Sequence, residues 1–312
     1  MKANLLWIVI VFMSLVNCGE SDLVPEQEPI PDIVPEDEII TIPVVIHVVN
    51  FSPDPFDISD DKILSQIDVL NEDYRKKNSD WLKTPQEFKN LVADVGIEFV
   101  LADVDPQGNP TMGIIRTSSD VTGFDGIRFD QSVPIENLAL YFTSKGGQDA
   151  WPNDQYLNIW IADLSDRNGE LSLAGYANLP GADARIDGVV IDPRAFGINS
   201  SSEAAYSLGR TATHEIGHWL NLRHIYGKDG SCEDGEDGDL VEDTPVQQSQ
   251  NLGNPVHPIF SCGNASMFMN FMDRVDDKSM YMFTIGQRNR MRNLFNKGGL
   301  RRELYERLYD AP

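Results

Sequence analysis

Three histidines within eleven residues restrict this chain more than any other feature. Residues 214–224 read His-Glu-Ile-Gly-His-Trp-Leu-Asn-Leu-Arg-His. On a helix, His214 and His218 lie on one face about a turn apart, where two imidazoles grip a single metal ion. Glu215, next to the first of them, is placed to take a proton from a metal-bound water, the general-base role in metal-assisted peptide hydrolysis. His224 cannot join them from the same straight helix, which would carry it roughly 15 Å along the axis. The helix must therefore stop and the chain turn back. Asn221 suits that turn, because after Gly it best tolerates a left-handed backbone, so a positive φ is expected there. The competing reading is an amphipathic core helix with incidental histidines, but such helices seldom gather three ligands and a carboxylate at one end.

The segment resembles the extended zinc signature of the metzincin metallopeptidases, His-Glu-x-x-His-x-x-Gly-x-x-His, with Asn221 in place of the usual Gly. A bare His-Glu-x-x-His is weakly specific; the third histidine at this offset makes the match strong. Further along, Val-Glu-Asp-Thr-Pro at 241–245, flanking cysteines, and Met-Phe-Met-Asn-Phe-Met-Asp at 267–273 resemble the pappalysin branch, including its bacterial ulilysin-like and cytophagalysin-like members. The resemblance covers about residues 40–297. It implies an α/β catalytic domain whose upper lobe has a mixed, mostly parallel sheet with a backing helix and an active-site helix. An irregular lower lobe with a C-terminal helix would lie across the cleft.

The chain has 312 residues, enough for one large domain or two lobes with a real core. Twenty-five Lys and Arg against 49 Asp and Glu leave a net charge of −24, which argues against a nucleic-acid partner. Residues 1–18 read as a targeting segment: Lys2, an apolar run over 5–16 too short for a comfortable membrane span, then Cys18. This resembles a lipoprotein-type signal in which Cys18 becomes the lipidated first residue, so that the membrane is touched only through that anchor at the bacterial outer membrane or cell surface. Ordinary secretion with cleavage nearby is the alternative. Residues 19–38, rich in Pro and Glu, read as a disordered tether.

Order is expected from residue 39, with an N-terminal lobe over 39–225 and a C-terminal lobe over 226–312. Residues 39–49 are a nearly unbroken β-branched run, as in a strand covered on both faces, with His47 a hydrogen-bonded core residue. Residues 59–77 have helical spacing with Ser59 as N-cap. Strands are expected at 97–103, 157–162, around 176–179 and at 188–192, followed by a helix over 203–220. Trp151 reads as packing. Residues 175–178 suit an edge strand that pairs with an extended peptide, or a plain edge. Helical spacing returns over 284–309, with Ile285, Met291, Leu294 and Phe295 on it.

In the lower lobe, Cys232 and Cys262 are the pair left after Cys18, and in an exported chain they are expected to form a disulfide. The acidic, Gly-rich run 233–244 offers oxygen ligands for a hard cation, although such runs are commonly plain solvated loops. The resemblance implies structural Ca2+ there and carries over Asp239, Asp243 and Thr244 as candidates. It also implies a tight turn with Met272 beneath the zinc ligands, where a soft thioether fills an apolar floor. Two residues on, most relatives carry Tyr and this chain has Arg274. A permanent cation is repelled by zinc, so Arg274 is expected to pair with Asp273, Asp276 or Asp277, or to contact substrate.

The resemblance as a whole implies an exported zinc endopeptidase. His214, His218 and His224 would hold one zinc ion, Glu215 would activate its water, and protein or peptide chains would be the substrates. The rival reading is a surface binding lipoprotein that retains the zinc scaffold without turnover.

Overall fold

The structure is a computed structural model, and it describes residues 30–51, 58–121, 123–124, 133–166, 168, 170–199, 205–227, 232 and 238–310. The expected signal segment, and the tether as far as residue 29, lie outside these. From residue 31 onward the chain is one compact unit.

Six strands form the main sheet: β1 Ile40–Phe51, β2 Ile97–Leu101, β3 Ile114–Ser119, β4 Leu157–Ala162, β5 Gly175–Ala177 and β6 Gly188–Ile191. Their order is β2-β1-β4-β6-β5, and β3 also pairs with β1. β2 takes the first half of β1, with Ile40 opposite Ile97, and β3 the second half, with Ile46 opposite Ile114. All pairs are parallel except β5 with β6. β4 and β6 are buried along their whole length, which is why both are mostly apolar, with Asn158 the one polar side chain. β3 carries no such run: Ile-Ile-Arg-Thr-Ser-Ser is half exposed at the sheet margin, and its sequence does not announce a strand. His47 sits in the core as expected. Its Nε2 is 2.9 Å from Asn158 Oδ1 and its ring stacks on Trp160. Trp151 packs edge-on against Tyr156, 4.8 Å between centroids.

Helix α1, Asp60–Tyr74, starts where Ser59 accepts from the Lys62 amide. It ends three residues short of the expected 77. Lys76 turns left-handed at φ 50°, and the Lys77 amide reaches back 2.7 Å to the Glu72 carbonyl, a closure that satisfies the last carbonyls. α1 packs on β2 and beside α2, which itself lies against β5 and β6, and the Tyr74 hydroxyl of α1 donates to the Thr213 carbonyl.

Helix α2, Arg210–Trp219, is shorter than the expected 203–220. Leu208 is committed to a bridge with Ile198, and Gly209, at φ 75°, breaks the approach. The first turn is capped from a distant segment, with Asp277 Oδ2 accepting from the Leu208 and Arg210 amides. Of the expected earlier start, 203–204 lie outside the described residues.

The segment expected to be helical over 284–309 is two helices, α3 Ile285–Arg292 and α4 Arg302–Asp310. A capping box of Thr284 and Gln287 opens α3. The chain breaks at Gly298, φ 81°, and Arg301 then turns inward. Residues 31–38, expected in the tether, instead strap this region: Val34 donates to Asn296 Oδ1, and Arg302 and Arg292 donate to the carbonyls of Pro31 and Pro35. Low apolar content does not prevent order when arginines of a folded segment bind the backbone itself. The stretch 226–282 is irregular, as expected, with a short hairpin of β7 Phe260–Ser261 and β8 Asn264–Ala265. Cys232 and Cys262 are bonded to each other.

Candidate active site

α2 ends in a tight left-handed closure. Asn221 has φ 72°, its amide reaches the His218 carbonyl at 2.8 Å, and the Leu222 amide reaches Gly217 at 2.8 Å. From α3, Arg290 Nε donates to the Asn221 carbonyl, holding the reversal from outside. The turn therefore falls where the histidine spacing requires it, and it swings His224 back onto the face that carries His214 and His218.

The three rings converge through Nε2. His224 Nε2 lies 3.2 Å from His214 Nε2 and 3.1 Å from His218 Nε2. Tetrahedral zinc at about 2.0–2.1 Å from each nitrogen would separate such atoms by about 3.3 Å, so the spacing fits. In two of the rings the other nitrogen is engaged: His214 Nδ1 lies 2.6 Å from the Phe271 carbonyl and His218 Nδ1 2.8 Å from that of Leu222. A carbonyl only accepts, so each Nδ1 carries the proton and each Nε2 turns a lone pair inward. Burial holds all three rings well below the usual histidine range, His218 at about 4, with Arg274's charge acting in the same direction. Neutral imidazoles with converging lone pairs are the donor set that zinc takes. Among the described residues this is the one cluster of three or more His, Cys, Asp or Glu with converging ligand atoms.

Glu215 is buried beside them, and desolvation pushes its carboxyl up to about 8. The edge strand β5 runs close above it because residue 175 is Gly. A methyl there would stand 3.1 Å from Glu215 Cγ and 2.9 Å from Ile191 Cδ1. Below, Met272 is fully buried, and its sulfur would lie 2.5 Å from a Cβ at Gly217. Thioether and glycine thus pack as floor and ceiling between the two ligand-bearing turns. The Met turn is itself fixed: Asn270 Oδ1 accepts from the Met272 amide, and the Asn270 and Gln287 amides bond each other.

A cavity of about 260 Å³ opens between β5 and the 250–280 segment, lined by His214, Glu215, Gly175, Leu252, Arg274 and Asp277 among others. Arg274 is exposed at its margin. None of the expected acidic partners pairs with its guanidinium. Asp273 binds Gln247, Asn251 and the Arg274 amide, Asp276 binds Asn254, and Asp277 caps α2. Tyr226, a residue that the sequence did not single out although it stands only two positions past the third histidine, stacks its ring on that of His224, with centroids 4.8 Å apart. Arg210, also unforeseen, ties the start of α2 to distant segments: its guanidinium meets Asp80 and Asp73 while its amide faces Asp277.

The calcium candidates do not assemble. Asp239 accepts from the Val241 amide and the Thr244 hydroxyl, and Asp243 accepts from the Thr284 hydroxyl and the Gly286 amide at the start of α3. Their carboxylates serve as a turn clamp and a helix cap, and residues 233–237 lie outside the described residues.

Comparison with known proteins agrees with this geometry. The family profile for the M43 peptidases, described as pregnancy-associated plasma protein-A, matches residues 143–296. Mature mirolysin of Tannerella forsythia, solved with a cleaved peptide, is 42% identical, with a TM-score of 0.76 over 88% of this chain and 99% of that one. The chain belongs to the pappalysin family of metzincin metallopeptidases. Curated metalloproteases are similar to the chain as well. An extracellular metalloprotease of Pyricularia oryzae is 30% identical over 82% of this chain and 75% of its own length. Extracellular metalloprotease 1 of Coccidioides posadasii is 31% identical over 83% and 78%. As a pappalysin the chain is a metallopeptidase with the mixed, mostly parallel α/β sheet of that fold, and the family implies a catalytic zinc that the three histidines fit.

Proposed function

We propose that the chain is an exported endopeptidase in which His214, His218 and His224 hold one zinc ion and Glu215 moves the proton. The observation that carries this is the convergence of three Nε2 lone pairs next to a buried carboxylate at the edge of a peptide-sized cleft. When bound there, zinc supplies Lewis acidity toward water and toward a peptide carbonyl. Everything else falls to the chain. The carbonyls of Phe271 and Leu222 keep two rings in the tautomer that offers Nε2. Glu215 takes a proton from the attacking water at a carboxylate oxygen and delivers it to the nitrogen of the leaving amine; burial, which favours its protonated form, suits both halves of that transfer. β5, outermost in the sheet, offers its outer edge to an extended substrate, whose backbone amides and carbonyls it bonds as one more strand. Arg274 at the rim donates to a substrate carbonyl or carboxylate.

Cleavage of a peptide library by the zinc-loaded protein, read by mass spectrometry, tests this reading. Glu215→Ala is expected to keep one zinc and lose at least about 10³-fold in kcat, on the general-acid-base scale for a group acting in both proton transfers. Retained turnover in that variant removes Glu215 as the base. A metallated wild type that binds peptides without cutting them would favour the rival, a binding protein on a zinc scaffold.

Export is supported by relatives named extracellular, and lipid attachment at Cys18 by the apolar run and cysteine of the leader. A structural calcium is supported only by the acidic run 233–243 and the family resemblance, because the described carboxylates of that loop do not converge.

A further inference from the structure

Asn221 stands where the extended zinc signature has Gly, and it holds the left-handed backbone that Gly adopts freely and other residues adopt at a cost. The turn it makes serves two ligands. Its own amide and that of Leu222 reach back to the carbonyls of His218 and Gly217, and the Leu222 carbonyl lies 2.8 Å from His218 Nδ1. Two residues later the chain delivers His224. A shift of this turn therefore rotates one ring and displaces another.

Arg290 of α3 grips that turn. Its Nε donates to the Asn221 carbonyl at 2.7 Å, and its Nη2 donates to Asn221 Oδ1 at 3.3 Å. A rigid fork on one main-chain and one side-chain oxygen of the same residue fixes both its backbone and its rotamer, and glycine could not supply the second oxygen. Among the described residues the guanidinium has no other hydrogen bond and no ion pair. α3 is itself held in register: Asp243 accepts from the Thr284 hydroxyl and the Gly286 amide at its start. Gln287, three residues before Arg290, is bonded to Asn270 of the Met turn, whose Phe271 carbonyl lies 2.6 Å from His214 Nδ1. One helix of eight residues thus braces both turns that orient the three rings.

We infer that Arg290 is a positioning residue of the metal centre: by holding Asn221 left-handed, it sets His218 and His224 against His214 before a metal arrives. The inference rests on the zinc reading of the three histidines and not on peptide cleavage.

Zinc dissociation constants, measured by competition with a chromophoric chelator, decide it for wild type, Arg290→Met, Asn221→Gly and the double variant. Methionine keeps the stem and removes both donors. Arg290→Met is expected to weaken zinc about tenfold, the lower end of the range for loss of an outer partner of a metal ligand. Asn221→Gly alone should stay within about threefold of wild type, because glycine takes the positive φ unaided. For the same reason the arginine change should weaken zinc by no more than about threefold in the glycine background. Thermal melting of the chelator-treated proteins separates a merely structural role, which would lower the metal-free midpoint and leave the zinc constant alone. Equal zinc constants in wild type and Arg290→Met overturn the inference. So does an equal loss in both backgrounds, which would place the action of Arg290 elsewhere than at Asn221. If Arg290→Met does not fold, Arg290→Lys, with a single compact donor in place of the fork, carries the same comparison, with a loss of about threefold expected beside Asn221 and none beside glycine. A wild type that takes up no zinc overturns the reading of the histidines and this inference with it. A wild type that gives the expected order of zinc constants but cuts no peptide overturns the endopeptidase reading alone.

Discussion

Replacing Arg301 with Met should loosen the molecule at the base of its active-site helix. The Arg301 guanidinium donates twice to Asp187, at 2.8 Å each, and lies 3.6 Å over the Trp219 ring, with both members of the ion pair about 2% exposed. Trp219 Nε1 donates to the same carboxylate at 2.8 Å, and Asn153 donates to its other oxygen. Asp187 stands immediately before β6, Trp219 is the last residue of α2, and Arg301 opens the approach to α4, so three separate segments meet on one charge. Methionine would fill much of the volume but leave the carboxylate without its cation. Breaking a buried pair in this way costs about 3–5 kcal/mol. At roughly 3 °C per kcal/mol, the value for somewhat smaller domains, the midpoint of thermal unfolding should fall by about 10 °C. Calorimetry of chelator-treated protein isolates the effect from metal binding. Asp187→Asn in the same background should recover part of the loss, because the unpaired charge is then gone. A single variant that melts within 2 °C of wild type would refute the reasoning, since it would mean that the pair's attraction does no more than offset its desolvation.

Two further perturbations test the rest of the framework. His47 is buried, and desolvation lowers it to about 4 from an ordinary 6.5, so the unfolded chain takes up a proton between those values while the folded one does not; stability present above pH 6.5 should fall by about 1.4 kcal/mol per unit toward pH 4, and His47→Phe should remove that part of the slope in urea titrations of chelator-treated protein. Reducing the Cys232–Cys262 bond, which closes a span of 30 residues, should cost about 3–4 kcal/mol in the chain-entropy model, read as a lower urea midpoint under reductant, and no change would place the bond outside the cooperative unit.

What could be read from the chain follows the range of the interactions involved. β1, β4 and β6 are largely buried, so their sequences are mostly apolar, and the two ligand histidines on α2 with the turn at Asn221 are consequences of helical geometry over eleven residues. β3 is half exposed and looks like a loop. The start of α2 escapes a sequence reading because it is set by Asp277, 67 residues from Arg210. The strap 31–38 is held by backbone acceptors that any composition provides, and so compositional disorder signals misjudge it. In the site the metal ligands were legible because their spacing is local. The contacts of Arg210 with Asp73, Asp80 and Asp277 were not, because they join positions far apart in the chain. In the acidic loop, composition shows ligand chemistry but not the local bonds of Asp239 within its turn and of Asp243 at the start of α3.

The most direct test of the account is X-ray absorption at the zinc edge on protein loaded with one equivalent of the metal. Three imidazole nitrogens at about 2.0–2.1 Å are predicted, with one fewer in His224→Ala. A spectrum dominated by oxygen ligands, or one that His224→Ala leaves unchanged, would contradict the assignment of His214, His218 and His224 as the metal centre.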